Sequence, residues 1–308
     1  MKKQIAIIIP CYNEASTIES VIKGFSESID SIYEYDIYVY DNNSKDETSD
    51  LSRKAGANVR SESLQGKGNV VRRIFADVDA DIYVMVDGDD TYDPSCVNEM
   101  ISLLLDKTLD MVTGVRITEE ENAYRFGHKF GNWMLTSIVK LMFGSRISDM
   151  LSGYRVMSKR FVKSFAANSK GFEIETELSV HALNMRMPVS EFNTRYFSRP
   201  EGSFSKLNTY KDGLKILSVI FNLIRNEKPL FFFGIFGFLF ILISLIISYP
   251  IVINFIQTGF VPRIPTAILS TGLALLGVIL FIAGLILDSV KNGRREIKRF
   301  QYLNIPHI

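Results

Sequence analysis

The chain has no surplus of charge of either sign. Its 35 Lys and Arg are matched by 34 Asp and Glu, a net +1 over 308 residues, which argues against a nucleic-acid binder driven by bulk charge. Cysteine is scarce. Cys11 and Cys96 make neither a disulfide framework nor a metal-spaced cluster, and suit a reducing compartment only weakly. None is needed for folding, because a chain of this length buries a sizeable core unaided and divides into about two units. The three histidines, His128, His181 and His307, have no metal-ligand spacing. Internal repeats and low-complexity segments are missing. A secretory signal is not expected either, since the N-terminal apolar run is short and stops at Pro10, where a signal peptide needs a longer run and a small-residue cleavage site. Charge itself is missing from one stretch: between Leu230 and Leu287 only Arg263 is charged. That excludes fully disordered, collagenous and purely soluble readings.

The first 115 residues alternate two periodicities. Short apolar runs at 4–9, 37–40, 57–59, 82–86 and 111–115 read as strands. Between them, 15–28, 46–55, 67–76 and 94–105 read as helices, the first with Ile18, Val21, Ile22 and Phe25 on one stripe. Ser16 followed by Glu19 looks like a capping box, and Pro94 suits a first helical turn. Strands separated by helices imply right-handed crossovers and a mostly parallel, Rossmann-like α/β sheet. Such sheets bind ligands beyond the carboxyl ends of their strands. Polar clusters stand at those ends: Tyr12-Asn13-Glu14, Asp41-Asn42-Asn43-Ser44 and Asp87-Gly88-Asp89-Asp90. Three acidic clusters on one edge make a site.

Residues 124–143 and 210–228 mix apolar and basic side chains. They read either as amphipathic helices at a membrane surface or as helices packed on the sheet. Residues 230–256 and 264–287 each run without a charge for longer than the ~20 residues that cross a ~30 Å hydrocarbon layer. Pro250 is expected to kink the first, and Pro265 sits near the start of the second. The connection is short, so the pair reads as a hairpin. Arg225 and Lys228 precede it, Lys291, Arg294, Arg295, Lys298 and Arg299 follow it, and the loop offers only Arg263. Positive residues stay inside, which puts both termini and the α/β part in the cytoplasm. The expected division is a catalytic domain over 1–208, a juxtamembrane helix over 209–228, the two spans within 229–290, and a basic tail over 291–308.

Asp87-Gly88-Asp89 places two carboxylates at i and i+2 just past a buried strand. Oxygen-only ligands suit hard ions such as Mg²⁺ or Mn²⁺, which keep waters and bind substrate phosphates. Gly88 is read as permitting a tight turn. The calcium-loop alternative fails, because Tyr92 stands where glycine is needed and no Glu closes the loop. A metal held by so few carboxylates implies that a diphosphate completes its shell. Gln65-Gly66-Lys67-Gly68-Asn69 opens a helix and can approach a phosphate through backbone N–H groups and Lys67; it can equally be a plain helix start. It lacks P-loop spacing, and no G-x-G-x-x-G follows the first strand, so a dinucleotide cofactor is not expected.

Pro10-Cys11-Tyr12-Asn13-Glu14, Asp41-Asn42-Asn43-Ser44, Gly66-Lys67-Gly68 and Asp87-Gly88-Asp89, in that order, resemble the GT-A glycosyltransferases of family 2. Asp149-Met150-Leu151-Ser152-Gly153-Tyr154-Arg155 is similar to a D-x-x-S-G-[FY]-R stretch, and Arg199-Pro200-Glu201-Gly202-Ser203-Phe204-Ser205-Lys206 to an R-x-x-G-x-S segment before the membrane. Within the family the whole chain looks like the polyprenyl-phosphate type, the group of dolichol-phosphate mannose synthase and the bacterial GtrB-like bactoprenol enzymes. The resemblance implies that Pro10, Tyr12, Asn13, Glu14, Asp41, Asn43, Lys67, Asp87 and Gly88 hold a nucleotide sugar. It implies that Asp89, with Asp87 and Thr91, holds Mg²⁺ or Mn²⁺, and that Asp149 and Arg155 serve catalysis. Arg116, Arg199 and Lys206 would meet the phosphate of a lipid acceptor. Asn42 stands where many relatives carry a second Asp, and Asp90 replaces a usual apolar residue. Glu173, Glu175 and Glu177 sit at strand-like spacing in a segment that otherwise reads helical, with Glu177 as the candidate sugar or arginine contact.

The resemblance further implies an inverting, metal-dependent transfer of a hexose or N-acetylhexosamine, UDP-linked first, to undecaprenyl phosphate for cell-envelope glycan modification such as that of O-antigen. The attacking lipid phosphate is largely dianionic at neutral pH, with a second pKa of about 6. It needs neutralising cations more than a general base. Membrane lipids, a homotetramer, a flippase and a downstream transferase are the implied partners, at a bacterial inner membrane; nucleic acid is not. Two other readings stand beside this one. A processive polysaccharide synthase predicts a Q-x-x-R-W motif and more spans, and a non-catalytic scaffold with a transferase-like domain predicts a degenerate site.

Overall fold

The structure, a computed structural model, describes residues 2–117, 137–138, 140–141, 144, 147–166, 171, 173–199, 218 and 221–306. The chain divides into two compact units, one of residues 1–216 with 298–308 and one of residues 217–297.

The larger unit is built on β1 (Gln4–Cys11), α1 (Ile18–Ser28), β2 (Glu34–Asp41), α2 (Thr48–Lys54), β3 (Asn58–Ser61), α3 (Lys67–Asp77), β4 (Ile82–Met85), α4 (Val97–Asp106) and β5 (Met111–Ile117). It continues with β6 (Arg155–Ser158), α5 (Lys159–Ser164), α6 (Ile174–Asn184) and β7 (Val189–Arg195). Seven strands form one sheet in the order β3-β2-β1-β4-β6-β5-β7. β1 pairs in parallel with both β2 and β4, so the strand order reverses between β1 and β4, where open α/β sheets bind ligands. β6 runs antiparallel between β4 and β5, with Val156 opposite both Val84 and Val112. β7 then adds in parallel beside β5.

The central strands are apolar runs because helices cover both faces. Ile5, Ile7, Ile9, Val84, Val112 and Val156 share one core cluster with Ile18, Val21, Ile22 and Phe25 of α1 and Met100, Ile101 and Leu104 of α4. Each such side chain contributes about 1.5–3 kcal/mol relative to exposure. Ser16 does not cap α1. The cap position is Thr17, without a side-chain capping bond, because its hydroxyl donates to the Gly88 carbonyl at 2.6 Å. The Glu14 carbonyl instead accepts from Thr17 and Ile18 at 3.0 Å each and starts the turn.

The smaller unit contains α7 (Pro229–Thr258), and most of α8 (Ile264–Leu303) belongs to it. Both helices are long and apolar enough to cross a membrane. Pro250 lies inside α7. Small residues recur every seventh position where the two helices meet: Gly237 and Ser244 on α7, Ser270, Gly277 and Gly284 on α8, all buried. The backbones approach so closely that a Cβ on Gly237 would lie 2.7 Å from the Gly277 carbonyl oxygen. Ser244 Oγ donates to the Ser270 carbonyl at 2.7 Å. This is how helices associate where apolar burial gives no drive. Their remaining apolar surface faces outward.

α8 runs past its apolar part into the basic segment without a break, and its end belongs to the larger unit. Tyr302 donates to Asp110 at 2.8 Å, and the fully buried Asp110 also receives the Arg160 fork and the Ser158 hydroxyl. Of the two amphipathic segments expected from the sequence, residues 221–227 are helical. Most of 124–143 and of 210–220 lies outside the described residues.

Candidate active site

β4 delivers the acidic turn. Val86 donates its N–H to the Ile8 carbonyl, so the chain leaves the sheet at Asp87 beside the end of β1. Gly88 is required by crowding: a Cβ there would lie 2.8 Å from Cys11 Sγ. The turn lies at Gly88 and Asp89 as expected, and its left-handed residue is Asp90, at φ 57°. Asn13 and Asn43 adopt the same conformation, at φ 53° and 63°, which Asn and Asp tolerate better than other side chains.

Asp89 is 5% exposed. The Thr91 hydroxyl donates to its Oδ1 and Arg199 Nη2 to its Oδ2, each at 2.6 Å. Thr91 thus orients Asp89. Burial, and after it the Asp87 carboxylate alongside, push the Asp89 carboxyl above the ordinary aspartate range, with Arg199 opposing. Asp87 pairs with Lys67. It lies so close under Gly153 that a Cβ there would come 2.3 Å from Asp87 Oδ2, which gives the S-G-Y-R stretch its glycine. Tyr92 receives the Gly153 N–H at 2.8 Å and packs edge-on against Tyr154 and Tyr196, forming a wall behind the turn.

Lys67, the first residue of α3, bridges Asp87 and Glu175 Oε1, the latter at 2.5 Å. Burial opposes its charge, but Asp87 and Glu175 outweigh that and hold the ammonium above the ordinary lysine range. Glu175, 4% exposed, was not the glutamate favoured from sequence. In helix α6 residues two apart point to different sides, so Glu175 and Glu177 face in different directions. The legible signal was that Glu175 lies on one helical face with Leu178, Ser179 and Ala182, all buried. Burial raises the Glu175 carboxyl, Lys67 opposing, and its Oε2 has no hydrogen-bond partner among the described residues.

Arg155 does not line the cleft. It is 0% exposed, and its guanidinium donates to the carbonyls of Ser152, Met150 and Glu175 at 3.0–3.1 Å. Burial lowers it to about 10, which leaves it charged. The catalytic role expected for it is replaced by a positioning one: it ties the start of α6, and with it Glu175, to the 150–152 turn. Asp149 orients an arginine. It accepts Arg116 Nε and Nη2 at 2.8 Å each; burial opposes its ionisation, and Arg116 holds it below the ordinary range. Glu191 fixes the turn by accepting from Ser148 and Asp149 N–H. Arg199 is held on Asp89. Lys206 lies outside the described residues.

At the ends of the first two strands, Pro10 lies within β1, Tyr12, Asn13 and Glu14 follow it, all four are half-buried, and Asp41 is buried at the end of β2. Asp41 accepts the Ser44 N–H, and Asn43 donates to the Ser63 carbonyl at 2.8 Å. Asn13 Oδ1 accepts the Lys45 N–H at 2.8 Å, and the Asn13 N–H donates to Ser44 Oγ at 2.9 Å. Asn42 is a strut. Its amide donates to the carbonyls of Glu62 and Leu64 at 2.8 Å each and accepts the Gly66 N–H at 2.6 Å. A carboxylate cannot donate, so the departure from Asp at this position matches the bonds it makes.

The residues fit a hard dication. Asp87 and Asp89 offer oxygen donors only, and Asp89 is buried beside the Asp87 carboxylate, a pairing that a dication would stabilise. Among the described residues no three His, Cys, Asp or Glu side chains form a ligand group, so phosphate and water oxygens would complete the shell.

A reversing α/β sheet with an acidic turn at its switch point is the GT-A arrangement. The description "Glycosyl transferase family 2" matches residues 6–165, and the chain belongs to that family and is a glycosyltransferase. Protein RfbJ of Shigella flexneri is 56% identical over 126 residues, 41% of this chain and 95% of that protein. Glycosyltransferase AglJ of Haloferax volcanii is 30% identical over 306 residues, covering 97% and 98% of the two chains. A dolichyl-phosphate hexose transferase of the same organism is 24% identical over 224 residues, 73% of this chain and 95% of that one. Among solved structures, glucosyl-3-phosphoglycerate synthase of Mycobacterium tuberculosis, in complex with Mn²⁺, UDP and glucosyl-3-phosphoglycerate, shares the fold. Its TM-score is 0.58 at 22% identity, over 72% of this chain and 79% of that one.

Proposed function

We propose that this chain transfers a hexose or N-acetylhexosamine from a nucleotide diphosphate, UDP first, to undecaprenyl phosphate at the cytoplasmic face of a bacterial inner membrane. Residues 1–208 are the catalytic domain, 209–228 a juxtamembrane helix, 229–290 the two spans and 291–308 a basic tail. One observation carries the reading: a paired-carboxylate turn met by Lys67 and Arg199 stands in the same chain as two helices long enough to span a bilayer. A relative matched over 73% of this chain and 95% of its own length is named a dolichyl-phosphate hexose transferase, and a fold neighbour holds Mn²⁺ with UDP.

Asp89 and Asp87 are the residues that would hold Mg²⁺ or Mn²⁺. When bound, the ion neutralises the departing diphosphate. The residues of the chain supply the rest. Loops after β1 and β2 bind the nucleotide. Arg116, fixed in place by Asp149, offers its charge to the acceptor phosphate. The acceptor is already an anion at neutral pH, so no side chain must take a proton from it. Attack opposite the leaving group inverts the anomeric carbon.

The test uses membranes containing the full chain, undecaprenyl phosphate, Mn²⁺ and a panel of radiolabelled UDP- and GDP-sugars. The expected result is label in the organic phase, abolished by Asp89→Ala. Label in a polymer would indicate a processive synthase, and no transfer from any donor a scaffold.

A further inference from the structure

The carboxylate expected to meet the dication already carries a cation of the protein. Arg199 Nη2 lies 2.6 Å from Asp89 Oδ2, and Thr91 occupies Oδ1. The contact is built into the fold. Phe197 donates its N–H to the Thr91 carbonyl at 2.9 Å, Tyr196 donates to Ile117, and Tyr92 and Tyr196 form a bridge. The segment before Arg199 is therefore pinned along the residues that follow Asp89. An ion bound to the same oxygen at its usual ~2.1 Å would lie within about 5 Å of the guanidinium nitrogen. Two cations that close on one buried carboxylate repel each other.

We infer that Arg199 is a displaceable counter-ion: it neutralises Asp89 while the donor is absent and gives up that oxygen when the dication enters with the diphosphate. This rests on the metal-dependent transferase reading above. The incoming diphosphate supplies the anion that Arg199 needs on leaving. Metal alone offers no such anion, so it competes with Arg199 unaided. Metal and donor are thereby coupled, each strengthening the binding of the other. The arrangement keeps the site from holding a metal ion with no substrate for it to act on.

The test is Mn²⁺ binding to the purified full-length protein in detergent, followed by the magnetic resonance signal of free Mn²⁺, with no nucleotide present and then with UDP or GDP in separate arms. Arg199→Gln is expected to bind Mn²⁺ about tenfold tighter than wild type without nucleotide, and to lose most of the strengthening that nucleotide gives wild type. Arg199→Lys, which keeps the charge, is expected to stay close to wild type. Equal or weaker Mn²⁺ binding by Arg199→Gln overturns the displacement. So does wild-type binding that neither nucleotide strengthens, a measurement that needs no variant. Wild type that binds no Mn²⁺ in any arm, or Asp89→Asn that binds it as wild type does, overturns the metal-dependent reading and this inference with it.

Discussion

Lys67 and Glu175 form a pair that can be removed in two ways with opposite results. Their side chains are 9% and 5% exposed, with Lys67 Nζ 2.5 Å from Glu175 Oε1. In Glu175→Leu, Lys67 keeps only Asp87 as partner, and in Lys67→Met, Glu175 is left buried and uncompensated. Breaking a buried ion pair from one side costs about 3–5 kcal/mol, whereas replacing both members with apolar groups of similar size is near neutral. At roughly 2–4 °C per kcal/mol for a unit of this size, each single variant is expected to melt about 10 °C below wild type. Lys67→Met/Glu175→Leu is expected to melt within a few degrees of it, since Asp87, whose side chain is 28% exposed, can rely on water. The double variant should nonetheless lose sugar transfer, because Asp87 no longer has its lysine. The assay is thermal unfolding of the full-length protein in detergent at one scan rate, beside the transfer assay. Single variants that melt like wild type, or a double variant whose loss equals the sum of the two, would refute the claim that this pair is desolvated and coupled.

Three further outcomes follow from other contacts. Asn42→Asp removes both donors to the Glu62 and Leu64 carbonyls and should weaken donor binding by tenfold or more while lowering stability by about 1–3 kcal/mol; an unchanged donor KM would show that the 62–66 loop needs no strut. His181 lies between Phe161 and Phe165, and burial, then Lys298, lower it to about 3, against about 6.5 when unfolded. The unfolded chain therefore takes up the proton first. The stability due to neutral His181 is complete above about pH 6.5 and is lost at about 1.4 kcal/mol per unit as pH falls toward 3; His181→Phe should flatten urea midpoints between pH 7.5 and 5, and a slope equal to wild type would contradict this. Gly237→Leu drives a side chain into the Gly277 carbonyl, whereas Gly272 has open space around its Cβ position. Protease protection of the 259–263 connection in micelles should fall in the first variant and hold in Gly272→Leu, and equal protection in both would speak against close packing.

The sequence made the centre of the sheet legible and its edge much less so. Residues 5–9 and 82–86 are uninterrupted apolar runs because β1 and β4 are covered on both faces, and the α1 stripe is buried as its spacing requires. β6 is four residues that begin with an arginine, and β7 alternates polar residues along VSEFNTR, so neither pattern stands out from loop. Ser16 resembled a cap because sequence cannot show that Thr17 is engaged by Gly88 across the cleft. The same limit explains Arg155. A cation in a motif next to a phosphate site reads as functional, and only coordinates reveal three carbonyls closing around it. Asp87 and Asp89 stood out as candidates because a polar cluster directly after a buried strand has no packing reason to exist, whereas Lys67 opens α3 and fits a plain helix start equally well.

The loops of the cleft are bonded mainly to one another. Thr17 holds Gly88, Asn13 holds the 44–45 turn, Thr48 receives the Glu14 N–H, and Asn42 holds the 62–66 loop. Donor binding therefore meets a backbone already in place, the condition under which fixed charges stabilise a reaction without reorganising. What is not fixed in that way is the set of ion partners. Asp87, Asp89 and Glu175 are met within the cleft by Lys67 and Arg199. Among the described residues these two cations face three carboxylates, and burial raises the Asp89 and Glu175 carboxyls, with Arg199 and Lys67 opposing. An added dication brings positive charge and a nucleotide diphosphate brings the negative charge that balances it, so the two suit the cleft better together than either does alone. Charge balance is then a quantity that substrate binding changes, and substitutions that alter charge at unchanged shape are ones to which this site should respond.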